Sequence, residues 1–240
     1  MALDVVLLHG FTHTGASWDP VVSALPERYR ALAPDIRGHG SAAGSEPVAL
    51  KGVLDDVAAL APDRFTLAGY SMGGRIALHA ALALSERIDR LVLIGASPGI
   101  ADPVEREFRR DADERLADEV EGMTIDAFAA RWAQTPVLAG QPPRVLAAVH
   151  ADRLRNTPDG LARALRGLGT GALPSLWGRL GEVAVPATLV VGERDEKFRR
   201  IASSMAAGLA EAETVVVPGV GHSVHLEAPQ VVAAVIARDC

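Results

Sequence analysis

The pentapeptide Gly69-Tyr70-Ser71-Met72-Gly73 constrains this chain more than any other feature. It follows Phe65-Thr66-Leu67-Ala68, a short apolar run with strand character, and precedes a helical pattern from Arg75 to Leu84. A G-x-S-x-G sequence in that setting is a sharp strand-to-helix turn that lifts a serine hydroxyl above the carboxyl edge of a sheet. The flanking glycines are required because a Cβ at either position would collide with neighbouring backbone. The plainer alternative is an ordinary glycine-rich loop. The serine reading therefore needs a base and an acid elsewhere in the chain.

The surroundings fit a parallel sheet. Val5–Leu8, Tyr29–Ala33, Phe65–Ala68 and Leu91–Ile94 read as strands, separated by helical patterns from near Trp18 to before Tyr29, over Leu50–Leu60 and over Arg75–Leu84. Strands alternating with helices at this spacing predict helices on both faces of a mostly parallel sheet. Between Pro98 and Val183 no four-residue β-branched run occurs, whereas Val104–Glu121, Ile125–Trp132, Pro143–Leu154 and Gly160–Leu168 are helical in pattern. So long a stretch cannot be a bare loop, so residues 100–182 are expected to form a helical lid on one domain spanning residues 1–240. Ala187–Val191 and Thr214–Val217 resume the strands, and Ala228–Arg238 supplies a last helix.

With 240 residues, 49% of them apolar, the chain can bury a sizeable core, and disorder is excluded. A net charge of −6 disfavours a nucleic-acid surface. The single cysteine, Cys240, leaves no internal disulfide and no cysteine-rich metal site. No apolar run approaches the ~20 residues needed to cross a bilayer, and Met1–Leu8 is too short for a signal peptide, so a cytoplasmic location is expected. Of the basic residues only Lys51 and Lys197 are lysines, the rest being arginines able to grip carboxylates in a bidentate way. No HExxH, CxxC or P-loop is present, and Gly167-Leu168-Gly169-Thr170-Gly171 does not follow a strand and reads better as a hinge than as a nucleotide loop.

These elements in this order resemble the α/β-hydrolase superfamily, whose triad runs Ser, acid, His along the chain. Of seven histidines only His222 and His225 follow the last strand. His222, directly after Gly221, suits the exposed loop; His225 suits packing or the pocket wall. Gly192-Glu193-Arg194-Asp195 offers two acids, and Asp195 is favoured because the loop must leave the strand before a carboxylate can turn back toward His222. The superfamily places one oxyanion donor after the first strand, so the backbone N–H groups of Phe11 and Met72 are candidates. His9 and His39 read as structural.

A narrower resemblance spans Leu8 to Glu227. Gly69–Arg75, Gly95-Ala96-Ser97-Pro98-Gly99-Ile100, Glu105-Arg106 with Arg109-Arg110, Arg153-Leu154-Arg155-Asn156, Arg166–Gly171 with Pro174-Ser175-Leu176-Trp177, and Gly192–Phe198 are similar to the 2-succinyl-6-hydroxy-2,4-cyclohexadiene-1-carboxylate synthases, lyases of the menaquinone pathway. The resemblance implies a small tricarboxylate substrate, elimination of pyruvate, no cofactor, and Ser71, Asp195 and His222 acting as a base system. It implies substrate contacts from Tyr70, Arg75, Arg109 and Trp132, and from either Arg153 or Arg155, whose short repeat leaves the register open. Arg37 departs from the pattern, standing where many relatives carry a small residue. An ester or C–C bond hydrolase using an acyl-enzyme is the alternative, and a density of arginines facing the serine separates the two.

Overall fold

A computed structural model describes residues 3–138 and 140–238; Cys240 lies outside the described residues. Six strands form one sheet: β1 (Leu3–Leu8), β2 (Tyr29–Leu32), β3 (Phe65–Tyr70), β4 (Ile88–Ile94), β5 (Ala187–Gly192) and β6 (Ala212–Val217). Their order is β2-β1-β3-β4-β5-β6, and every pairing is parallel. The central strands are buried on both sides, which is why Val5–Leu8 and Leu91–Ile94 are continuous apolar runs rather than alternating ones.

Both faces of the sheet are covered. Helices α2 (Leu50–Leu60), α3 (Met72–Ala83) and α8 (Glu196–Gly208) pack Val53, Val57, Ile76, Ala202 and Met205 against Val6, Leu67 and Leu189 on one face. On the other, α1 (Asp19–Val22) and α10 (Pro229–Ile236), together with Trp18, cover Val5, Leu7, Val92 and Val190. A one-turn helix, α9 (Val224–Glu227), leads into α10. The strand order reverses between β1 and β3, so the loops after those two strands splay apart and open a crevice at the carboxyl edge.

Residues between β4 and β5 carry α4 (Pro103–Glu121), α5 (Ile125–Trp132), α6 (Pro143–Arg153) and α7 (Pro158–Leu168). Asp102, Thr124 and Thr157 cap α4, α5 and α7, each side chain accepting a backbone N–H of the first turn. Ala117, Val120, Phe128, Leu161 and Leu165 give this layer its own apolar cluster, which Phe11 and Trp132 flank. Arg166 fastens α7 to α4 through Glu114, Asp118 and Glu121.

Three local readings change. The helix expected to run toward Tyr29 ends at Val22, because Pro26 has no N–H to donate and restricts the residue before it. Helix α3 starts at Met72 rather than Arg75, with Ser71 at its cap position. The glycines at 167, 169 and 171 are a packing seam rather than an open hinge: a Cβ on each would overlap backbone of Val48, Leu165 and Arg110 respectively. Arg37 also acquires a role. Its guanidinium grips Asp56 of α2 in a bidentate pair (2.6 and 2.8 Å) and donates to the carbonyls of Glu46 and Pro47, tying the turn after β2 to its helix.

Candidate active site

The serine is set by the backbone. Ser71 adopts φ 52° and ψ −110°, a left-handed conformation that costs a non-glycine residue free energy and persists only where surroundings enforce it. Its N–H donates to the Ile94 carbonyl at 2.8 Å, holding the turn between β3 and α3. Gly69 and Gly73 make this possible: a Cβ on Gly69 would overlap the Gly73 carbonyl, and one on Gly73 the Leu8 carbonyl.

His222 reaches Ser71 from the loop after β6. Its Nδ1 lies 2.6 Å from Asp195 Oδ2 and its Nε2 lies 3.3 Å from Ser71 Oγ. An ionised carboxylate can only accept, so Nδ1 carries the proton and Nε2 is free to accept the serine hydroxyl. The second oxygen of Asp195 accepts the Phe198 N–H at 3.2 Å, so the same carboxylate caps α8. Gly95, at φ 53°, clears the space the imidazole occupies; a Cβ there would sit 2.9 Å from His222 Cε1. The Phe198 ring covers His222 at 4.5 Å. Asp195 and His222 are both buried.

The two alternatives lie elsewhere. Glu193 is exposed and accepts the Gly219 N–H at 2.8 Å, joining the loops after β5 and β6 on their outer side. His225 is fully buried among the rings of Trp18, His13 and Tyr70, away from Ser71.

A cavity of about 940 Å³ opens above Ser71 and His222 at the carboxyl edge. Met72 and Phe11 line it, and the Met72 N–H is among the first-turn donors that an α-helix leaves without an internal partner. Trp132 closes one side, edge-on to Phe11 at 5.1 Å. Arg75, one turn along α3 from the serine, and Arg109 of α4 line the same cavity. Arg75 is buried, with one weak contact to the Leu168 carbonyl at 3.5 Å and its Nε without a partner. Burial, reinforced by the nearby Arg109 charge, lowers its pKa to about 10. Arg109 is half-exposed and pairs with Asp113 at 2.7 Å; Asp113 also receives the Gly171 N–H, so this guanidinium is fixed from behind. The pair is an anion-seeking wall.

Other expected contacts are not on that wall. The Tyr70 ring is buried behind His222 at 5.3 Å, and its hydroxyl lies 3.0 Å from Ser223 Oγ, which also accepts from Gln141 at 2.7 Å. Burial raises the phenol pKa strongly. Arg153 is buried beside this layer, its Nε donating to Thr12 Oγ1 at 3.2 Å, while the adjacent Asp152 holds His13 and Thr14. Arg155 is exposed and lines a separate shallow groove with Asp35 and Ser41. The register left open is thus resolved in space: Arg153 points inward, Arg155 outward, and neither lines the cavity above Ser71.

His9 and His39 are buried in contact with each other, ring centroids 5.0 Å apart. The Ile36 N–H donates to His9 Nε2, so its Nδ1 carries the proton and donates to the Gly10 carbonyl. Burial depresses both pKa values, to about 4 for His9 and about 3 for His39. The unfolded chain, with histidines near 6.5, therefore takes up protons that the folded chain refuses. Stability is fully present above pH 6.5 and falls as pH drops toward those values, by about 2 kcal/mol per histidine at pH 5. Urea midpoints at pH 7 and pH 5 should separate, and His39→Leu should narrow the gap; coincident midpoints would contradict this.

Among the described residues no helix is long and apolar enough to cross a membrane, and no cluster of three or more His, Cys, Asp or Glu residues could hold a metal ion.

A parallel sheet carrying a nucleophile-type serine, with His and Asp supplied from later strand ends, defines the α/β-hydrolase class. The alpha/beta hydrolase family description matches residues 5–235. A Bacillus subtilis (strain 168) protein provisionally named 2-succinyl-6-hydroxy-2,4-cyclohexadiene-1-carboxylate synthase is 35% identical, over 98% of this chain and 89% of that protein. The synthase of that name from Enterobacter sp. (strain 638) is 32% identical over 98% of this chain and 90% of its own length. The solved structure of MenH from S. aureus superposes with a TM-score of 0.91 at 30% identity, over 98% of this chain and 91% of that one. The chain belongs to the α/β-hydrolase family and, within it, to the 2-succinyl-6-hydroxy-2,4-cyclohexadiene-1-carboxylate synthases.

Proposed function

We propose that this protein is a C–O lyase that eliminates pyruvate from 2-succinyl-5-enolpyruvyl-6-hydroxy-3-cyclohexene-1-carboxylate, leaving 2-succinyl-6-hydroxy-2,4-cyclohexadiene-1-carboxylate. The observation that carries the reading is the placement of Arg75 and Arg109 in one cavity with Ser71 and His222. A neutral ester gains little from two guanidiniums there, whereas a polycarboxylate is held by both.

In this mechanism His222 Nε2 draws the proton from Ser71, and Asp195 stabilises the imidazolium. The serine oxygen removes the proton on the carbon next to the substrate ketone. Charge moves to the ketone oxygen, where the N–H groups of Phe11 and Met72 receive it, each typically contributing ~3 kcal/mol. The enolate then reforms its carbonyl, the ring gains a double bond, and the C–O bond to the enolpyruvyl group breaks. The departing enolate takes up one proton and becomes pyruvate, so the reaction is proton-neutral. The alternative chemistry would have Ser71 attack a carbonyl and form an acyl-enzyme.

The two are separated by supplying the enolpyruvyl substrate and simple esters in parallel. Stoichiometric pyruvate release with negligible ester cleavage is expected. Ester cleavage without pyruvate release would replace the lyase reading with a hydrolase.

A further inference from the structure

We propose that Lys197 is a third substrate-carboxylate contact, gripping the end of the polycarboxylate remote from Arg75 and Arg109; this rests on the polycarboxylate reading above. Lys197 occupies the first turn of α8, two residues after Asp195, and lines the cavity with Phe198, Ile201 and His222. Its ammonium lies 5.8 Å from the Phe198 ring, which also contacts the His222 imidazole at 4.5 Å. It therefore stands on the His222 side, whereas Arg75 and Arg109 come from α3 and α4.

The charge bookkeeping around the cavity singles it out. Arg109 already has Asp113, but no carboxylate among the described residues forms an ion pair with Lys197. In a chain with two lysines among 24 basic residues, the other, Lys51, is exposed on α2 and paired with Asp55. The remaining charged groups of the lining are Asp102 and Glu105 at the start of α4. Asp102 is engaged as the cap of that helix, accepting the Glu105 N–H. Three cations on three elements match the three carboxylates of the proposed substrate. An exposed, flexible ammonium suits a carboxylate that must arrive and leave, because it is a point charge without the directional demand of the guanidinium fork.

A contact of this kind acts equally on bound substrate and transition state, so it lowers KM and leaves kcat nearly unchanged. Lys197→Gln is expected to raise KM for the enolpyruvyl substrate about fivefold with kcat within twofold, the size of an exposed ion pair. Lys197→Arg should restore wild-type KM, and Lys51→Gln should change nothing. The dissociation constant of tricarballylate, a simple tricarboxylate, measured by calorimetry, should weaken in parallel in Lys197→Gln, a readout that does not depend on pyruvate release. An unchanged KM and unchanged dissociation constant in Lys197→Gln would overturn the inference. So would loss of the effect when Asp102 and Glu105 are changed to Asn and Gln, because Lys197 would then be latching the mouth to α4. Absence of pyruvate release by the wild type would instead strike the functional reading, leaving the calorimetric binding measurement to decide on Lys197.

Discussion

Ser71→Ala and His222→Ala are each expected to lower kcat for pyruvate release by three orders of magnitude or more, and the double variant to lose little beyond either single one. The reason is the single hydrogen-bonded line from Ser71 through His222 to Asp195. Groups that act as one unit cannot be removed twice. Asp195→Asn should cost less than removal of the histidine, since the ring is still held but its preferred tautomer is lost. Single-turnover and steady-state rates on the enolpyruvyl substrate check this. Wild-type turnover by Ser71→Ala would remove the serine from the chemistry, and additive losses in the double variant would show the two residues working apart.

Arg75→Ala and Arg109→Ala are each expected to reduce kcat/KM on the tricarboxylate by about thirtyfold or more, which corresponds to ~2 kcal/mol or more. Arg75 should show the larger effect. It is the more buried of the two and forms no ion pair with a carboxylate among the described residues, so a substrate anion is its main compensation for desolvation. Arg109 keeps Asp113 in the free protein and must share itself, so part of its gain is offset. Lysine at either position should rescue only in part, because the planar fork is lost. If both alanine variants keep wild-type kcat/KM, the cavity wall does not recognise carboxylates, and the polycarboxylate reading falls with it.

The sheet and most of the insertion were legible because buried parallel strands are uninterrupted apolar runs and capped helices carry periodic apolar positions; Ile125–Trp132 and Leu50–Leu60 match to the residue. Helix α8 carries a weaker signal in the sequence. Its stretch Glu196–Gly208 begins with consecutive charged residues and buries only Ala202 and Met205 fully, so its apolar stripe is narrow, and the strongest clue was a capping aspartate already assigned to another role. Position along the chain was enough to propose Ser71, Asp195 and His222, since each follows a strand at the same edge, and the three side chains lie together. It was insufficient for the arginines. Arg153 closes α6 and Arg155 sits in the turn beyond it; two positions swing a side chain roughly half-way round the helix axis, which sends one inward and the other to solvent. Lys197 lies within the Gly192–Phe198 segment of the family resemblance, but nothing there assigned it a role; only the folding of α8 brings it into one cavity with His222.

The double engagement of the Asp195 carboxylate has a consequence for how this chain can drift. One oxygen orients His222 while the other caps α8, a contact worth about 1 kcal/mol to the fold on its own. On the proposed mechanism, one side chain therefore answers to the chemistry and to the fold at once. A descendant that abandoned the chemistry would still gain from Asp, Asn, Ser or Thr at this position and would lose stability with Ala. An acid at 195 is consequently a poor witness that a diverged copy is still active. His222 is the better one, since the imidazole caps no helix, and its passing would register the loss of activity first.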